Sequence, residues 1–295
     1  MYDVIIIGGG PAGLAAAVYA ARYKLNALII SKEVGGAITG AHKVENWPGT
    51  KSISGMELME NFKQHVNNLG VEIKQEEVKE IKRSGNNFRI NNEYETKTVI
   101  LALGTQVRKL NVKGENEFLG KGISYCATCD AAFFRKKKVA VVGGGNSAAM
   151  AAILLTEFAE KVSVIYRGEK LRADPAVAEK VYSNPKIEVL HKANIVEIKG
   201  EKFVNSVVLD NGSSLELNGV FIEVGSVPST ALAKILGVNL DEQGYIQVDK
   251  AQKTNVEGVF AAGDITTNSN NLRQVITAAA EGAIAAESAY KFLKH

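Results

Sequence analysis

Three times along this chain an apolar run stops at glycine and gives way to small residues at helical spacing. The first case is "YDVIIIGGGPAGLAAAVYAARY", at the start. Residues 4–7 form an apolar run, which predicts a strand. Gly8, Gly10 and Gly13 follow, and the alanine-rich stretch behind them predicts a helix. The second, "KKVAVVGGGNSAAMAAILL", repeats the design: a strand over 139–142, then Gly143, Gly145 and Ala148, then a helix. In the third, "TNVEGVFAAGDITTNSNNLRQVITAAAEGAIAAESAY", a strand ends at Gly263 and Asp264, and a long helix is predicted from near Arg273. Strands alternating with helices predict an α/β fold. The third segment is too short to bury a core of its own, so it must pack back onto the first. Two domains are expected, the second inserted into the first: residues 1–110 with 245–295, and residues 111–244. The chain would cross between them near 110–114 and 241–245.

In both glycine-rich segments the spacing suits a dinucleotide, as in Rossmann-like FAD- or NAD(P)-binding domains. The first glycine makes the turn, the second lets backbone approach a diphosphate, and the third lets helix and strand pack closely. The diphosphate then sits at the helix N-terminus, where unpaired N–H groups and the helix dipole favour negative charge. Gly8, Gly10, Pro11, Ala12 and Gly13 are the candidates in the first cradle, and Gly143, Gly145, Asn146, Ser147 and Ala148 in the second. An acid after the next strand of such a unit holds ribose hydroxyls. In "NALIISKEVGG" the candidate is Glu33, an imperfect one behind Ser31 and Lys32. The matching strand of the second unit, "KVSVIYRGEKLRA", ends without an acid but carries Arg167 and Arg172. Arginines there suit the 2′-phosphate of NADP; the alternative is that both are surface residues. Asp264 could accept hydrogen bonds from ribityl hydroxyls, and the helix behind it could stabilise negative charge on a reduced flavin ring.

With 46% hydrophobic and 23% charged residues over 295 positions, the chain can bury a large core. A formal net charge of +3 is too small to point to nucleic acid, and "RKKK" at 135–138 reads as a solvated turn before a strand. The first apolar run is short, lacks a basic leader and ends in glycines, and no run approaches the length of a membrane span. A cytoplasmic location without membrane association is expected. Against that background stand two cysteines, Cys126 and Cys129 in "SYCATCDAAFF", with Asp130 directly after them. In a cytoplasmic chain such a pair is redox-active or metal-bound rather than a structural staple. A zinc site needs about four ligands, and His42, His65, His191 and His295 are scattered singly. No metal is expected, and the pair reads as redox-active. Asp130 is either an acid–base group or the cap of the segment that follows.

In order along the chain stand "GGGPAG" (8–13), "VENWPG" (44–49), "LALGT" (101–105), "CATCD" (126–130), "GGGNSA" (143–148) and "VGSVPST" (224–230). "AAGD" (261–264) and "RQV" (273–275) close the series. Together they resemble the low-molecular-weight thioredoxin reductases, among the pyridine nucleotide–disulfide oxidoreductases. The resemblance implies FAD held by the first and last segments. Gly36, Asn46, Gly104, Gly263, Asp264, Arg273, Gln274 and Val275 would join Glu33 and the first cradle there. It implies NADPH held by the inserted domain, a thioredoxin or thioredoxin-like partner, and a homodimer. It further implies that Cys129 lies next to the flavin, that Cys126 attacks the partner disulfide and that Asp130 handles the proton. Both disulfide and nicotinamide ride on the inserted domain, so the family rotates one domain against the other about the two crossings.

Departures bear on the electron donor. Ala37 follows "GG" where the family usually has glutamine. Ala149, Met150 and Ala151 stand where it usually has acids. "YRGEKLR" keeps Arg167 and Arg172, but Tyr166 and Gly168 replace the other two members of the phosphate clamp. Some relatives with eroded pockets use donors other than NADPH. The alternatives are therefore the same thiol chemistry fed by ferredoxin, NADH or reduced flavin, or a flavin-binding redox sensor without turnover.

Overall fold

The computed structural model describes residues 1–41 and 44–294; of the four histidines, His42 and His295 lie outside the described residues. The chain begins with β1 (Tyr2–Gly9), α1 (Pro11–Arg22), β2 (Ala27–Val34), α2 (Gly55–Asn68), β3 (Glu72–Lys74), β4 (Ile81–Ser84), β5 (Asn87–Ile90) and β6 (Tyr94–Leu101). It continues through β7 (Thr105–Val107), β8 (Ile123–Ser124), α3 (Ala127–Asp130), β9 (Lys138–Val142), α4 (Asn146–Leu155), β10 (Lys161–Tyr166), α5 (Pro175–Tyr182) and β11 (Ile187–His191). Then come β12 (Ile195–Gly200), β13 (Val204–Leu209), β14 (Ser214–Glu216), β15 (Gly219–Ile222), β16 (Ser226–Pro228), α6 (Ala231–Ile235), β17 (Val259–Ala261) and α7 (Val275–Lys294).

These elements form two units: Met1–Gln106 with Val227–His295, and Val107–Ser226. The short strands β7 and β16 mark the two crossings and pair with each other. The return crossing therefore lies at residues 226–227, earlier than the expected 241–245. The reason is packing: Leu232 and Ala233 of α6, with Val238 and Ile246, are buried against one face of the first sheet.

In unit 1 the order β3-β2-β1-β6 is parallel, and β17 continues it along the end of β6. In β1, Val4 and Ile6 face the cluster with α1, α2 and α7, whereas Ile5 and Ile7 face the cluster with β4, β5 and α6. Both faces of β1 are covered, which is why its sequence shows no alternation. The long helix begins at Val275, and α7 lies so close to α1 that a Cβ on Gly282 would stand 2.0 Å from the Ala12 carbonyl oxygen.

Unit 2 repeats the plan with the parallel order β11-β10-β9-β15-β8. Val139 and Val141 face α3, α4 and α5, while Ala140 and Val142 face the antiparallel sheet β12-β13-β14. In both units the chain leaves the central strand in opposite directions, between β1 and β6 and between β9 and β15. Such switch points at the carboxyl ends of strands are where open α/β sheets bind ligands. No described helix is long and apolar enough to cross a membrane.

Candidate active site

The first cradle lies at the carboxyl end of β1. Gly8 has φ +115°, and a Cβ there would stand 2.2 Å from the Ala102 carbonyl oxygen. A Cβ on Gly13 would stand 1.9 Å from the Gly8 carbonyl oxygen, so strand and helix touch at this point. At Gly10 the nearest atom is 3.9 Å away. Two glycines are thus required by protein packing, and the middle one leaves its front open. Gly10 caps α1 without a side chain, and Pro11 is the first helical residue. The first intrahelical bond is donated by Leu14 to Gly10 at 2.9 Å, so the Ala12 and Gly13 N–H groups have no acceptor within the helix. Behind the cradle the Gly9 N–H donates to Ser31 Oγ at 2.8 Å, and Ser31 donates to the Glu33 carbonyl at 2.6 Å. Glu33 itself is exposed near the end of β2, and Gly36 stands against Gly10.

Distant segments close on the same unit. Asn46 donates from Nδ2 to Gln274 Oε1 at 2.9 Å across 228 positions of sequence, while Trp47 packs edge-on against Phe62 at 5.3 Å. Gly104 has φ +62° and accepts from the Ser229 N–H. Gly263 has φ +85° and faces Ala12 of the first cradle. Its N–H donates to Glu281 Oε2 at 2.8 Å, as does the Thr266 hydroxyl, and the Ser269 hydroxyl donates to Oε1. Glu281 is buried, and it fixes the turn that presents Asp264. Burial pushes the Asp264 carboxyl above its ordinary range; Arg273 pulls it down and Glu281 pushes it further up. The Arg273 guanidinium lies 4.0 Å from the centre of the Tyr245 ring, an arrangement that fixes its direction. Val275 is buried at the start of α7.

Unit 2 carries the second cradle. Gly143 has φ +142°, with the Glu223 carbonyl oxygen 2.2 Å from a Cβ position, and Ala148 packs behind it. A Cβ on Gly145 would meet nothing within 4 Å, the same open front as Gly10. Asn146 is tied to the 174 turn: its Nδ2 donates to Asp174 Oδ2 at 2.9 Å and its Oδ1 accepts from the Asp174 N–H at 2.7 Å. The Arg172 N–H donates to the Gly144 carbonyl at 2.6 Å, which draws the arginine segment toward the cradle. Arg167 and Arg172 are exposed and make no ion pair among the described residues. The Tyr166 ring fills the space between, within 2.5 Å of a Cβ on Gly144 and 2.6 Å of one on Gly168. That ring explains why position 168 carries no side chain.

The cysteines stand elsewhere in unit 2, where β8 runs into α3. Cys126 and Cys129 form a disulfide with S–S 2.04 Å. The Cys126 N–H donates to Ser124 Oγ at 2.9 Å, and the Cys129 N–H donates to Cys126 Sγ at 3.2 Å. Cys129 and the following Phe133 are exposed, and Cys126 and Asp130 are half-buried. Two nucleotide cradles and a closed Cys-x-x-Cys disulfide on one chain point to a flavin- and nicotinamide-linked dithiol relay.

Comparison with known proteins gives the same answer. The family model described as pyridine nucleotide-disulphide oxidoreductase matches residues 2–282. The chain belongs to that family. This oxidoreductase is 43% identical over 310 residues to a thioredoxin reductase of Peptoclostridium acidaminophilum, covering all of this chain and 98% of the relative. Its structure is similar to that of Lactococcus lactis thioredoxin reductase, with TM-score 0.95 and 38% identity over 100% of this chain and 99% of that one. It is also similar to a ferredoxin-flavin thioredoxin reductase of Clostridium acetobutylicum, with TM-score 0.53 and 34% identity over 99% and 98% of the two chains. The family uses FAD and NADPH. The residues present fit such groups, because in each cradle the turn glycine is closed by packing and a second glycine is left open beside a helix start.

Several site residues escape a reading of the sequence. Glu281 sits on the buried stripe of α7 with Ala278, Gly282 and Ala285. An acid inside an apolar stripe was the available signal. Glu223 and Ser31 carry no comparable mark, since each becomes visible only when β15 or β2 is laid beside its neighbour.

Proposed function

We propose that this oxidoreductase reduces the disulfide of a thioredoxin or thioredoxin-like protein, with FAD held by unit 1 and NADPH by unit 2. FAD, when bound, accepts a hydride and returns the electron pair to a disulfide. The observation that carries the reading is the Cys126–Cys129 disulfide, with a backbone N–H already directed at Cys126 Sγ. Once the pair is reduced, that N–H favours the thiolate at Cys126, which suits it to attack the partner. The Cys126 thiolate attacks one partner sulfur and forms a mixed disulfide, and the other partner sulfur leaves as a thiolate. Cys129 then attacks Cys126 Sγ, re-forming the internal disulfide and releasing the second partner thiolate, which takes a proton from Asp130. The Asn46–Gln274 bond and the Glu281-held turn at Gly263 and Asp264 support FAD binding at the first cradle. Arg167 and Arg172 support NADPH at the second. Homodimer formation and a cytoplasmic location belong to the same reading.

A second reading concerns the donor alone. The first turn of α4 carries no acid and Gly168 removes a clamp arginine. A similar chain is described as a ferredoxin-flavin enzyme. On this reading ferredoxin, NADH or reduced flavin feeds the same thiol chemistry. The test is anaerobic reduction of the purified flavoprotein by NADPH, NADH and reduced ferredoxin in turn, followed by turnover with a purified bacterial thioredoxin. Cys126→Ser and Cys129→Ser should each keep the flavin and abolish turnover. Turnover in both single variants would refute the relay, whichever donor works.

A further inference from the structure

Glu115 is a buried carboxyl that the chemistry above does not use; it is 1% exposed. Its Oε1 accepts from the Leu110 N–H at 2.8 Å and from the Tyr125 hydroxyl at 2.6 Å. Its Oε2 accepts from the Asn111 N–H at 2.6 Å. The donors come from two separate segments. Leu110 and Asn111 lie in the linker behind β7, where the chain enters unit 2. Asn111 has φ +59°, a left-handed conformation that asparagine tolerates and that the carboxylate secures by taking its N–H. Tyr125 immediately precedes Cys126. Leu110, Val112 and the Tyr125 ring also pack on one apolar cluster, so the polar ties are backed by contact with a common core.

We propose that Glu115 and Tyr125 are positioning residues: Glu115 ties the entry linker of unit 2 to the residue before Cys126, so that linker and redox pair move as one body. The proposal rests on the dithiol relay described above. Burial, then the hydrogen bond to Glu115 and its charge, hold the Tyr125 phenol well above the ordinary tyrosine range. The hydroxyl therefore remains a donor at working pH. Two backbone donors would suffice to stabilise the linker turn. The third donor reaches into the redox segment, and through it any change of linker conformation displaces the backbone that carries Cys126.

The test uses the flavin-loaded enzyme with Tyr125→Phe, Glu115→Gln and the double variant. Tyr125→Phe deletes one hydroxyl and keeps both linker bonds. Glu115→Gln can still accept at one oxygen but turns an NH₂ toward the Asn111 N–H. After reduction by dithiothreitol and its removal, the rate of Cys126 alkylation by iodoacetamide is followed across pH. Melting temperature is recorded alongside, with kcat on a purified thioredoxin and KM for the donor that reduces the parent. Each single change should shift the alkylation rate and kcat by roughly tenfold, the scale of one hydrogen bond to a charged group, and leave donor KM unchanged. The double variant should be no worse than the worse single, because both changes cut the same tie. Lower melting with parental alkylation and kcat, or additive effects in the double, would overturn the proposal. Cys126→Ser is run in parallel. If turnover survives that change, the relay itself fails and the positioning role falls with it, a result that no Tyr125 variant could produce.

Discussion

Glu223 stands at the end of β15 beside the second cradle, its backbone N–H donating to Val142 at 2.8 Å and its carbonyl against Gly143. Phe221 packs with α3 and α4, while Val220 and Ile222 face the opposite cluster. Strand alternation therefore places Glu223 on the α4 face. Its carboxyl has no hydrogen-bond partner or countercharge among the described residues, and burial alone pushes it from 4.5 to about 7. The folded-state value lies above the unfolded one, so the folded state binds more protons and stability falls as pH rises from about 4.5 to about 7. A rise of about 2.5 units at ~1.36 kcal/mol each amounts to about 3 kcal/mol above pH 7 and about 1 kcal/mol at pH 5. Relaxation at the sheet end makes these upper bounds. Glu223→Gln removes the ionisation and keeps the shape, so it should stabilise the protein at pH 8 and much less at pH 5. For a unit of this size the gain at pH 8 is roughly 5 °C or more in melting temperature. The assay is thermal unfolding of parent and variant at both pH values, with flavin loaded and nucleotide absent. Equal gains at the two pH values, or none at pH 8, would refute the reasoning.

Other substitutions probe the remaining parts of the machine. Gly282→Ala drives a Cβ to within 2.0 Å of the Ala12 carbonyl, so α7 must lift from α1; a loss of about 1–3 kcal/mol and weaker flavin retention should appear in melting and in absorbance. Arg167→Ala with Arg172→Ala should raise KM for NADPH and leave that for NADH nearly unchanged, read from initial rates with each nucleotide. Equal effects on both nucleotides would mean that the arginines do not read the 2′-phosphate. Asp130→Asn should slow turnover with flavin content intact; a variant matching the parent across pH would leave Asp130 a purely structural role.

The two cradles and the redox pair could be read from the chain because their chemistry is written in local spacing. A tight turn out of a strand at positive φ favours glycine at Gly8 and Gly143, and two cysteines three apart can close a ring without help from the rest of the fold. The long-range order was harder. The return crossing moved from the expected 241–245 to 226–227 because Leu232, Ala233 and Val238 find their apolar partners on the first sheet. Asp264 was expected to contact the flavin, but its raised affinity for a proton depends on burial and on Glu281, which comes from a helix later in the chain.

Sequence alone determined what each segment is: an apolar run must find cover, a glycine must sit where a side chain cannot, and a Cys-x-x-Cys pair can cycle between dithiol and disulfide. Only the tertiary structure decided which segments meet. Asn46 reaches Gln274, Ser31 holds the Gly9 N–H, Tyr166 fills the space beside Gly168, and Glu115 gathers donors from the linker and from Tyr125. Hydrogen bonding and desolvation act over a few ångströms in space and take no account of distance along the chain. The value of a carboxyl such as the buried Glu115 and Glu281 or the half-buried Glu223 is therefore settled by its neighbours, and those neighbours exist only once the sheets have formed.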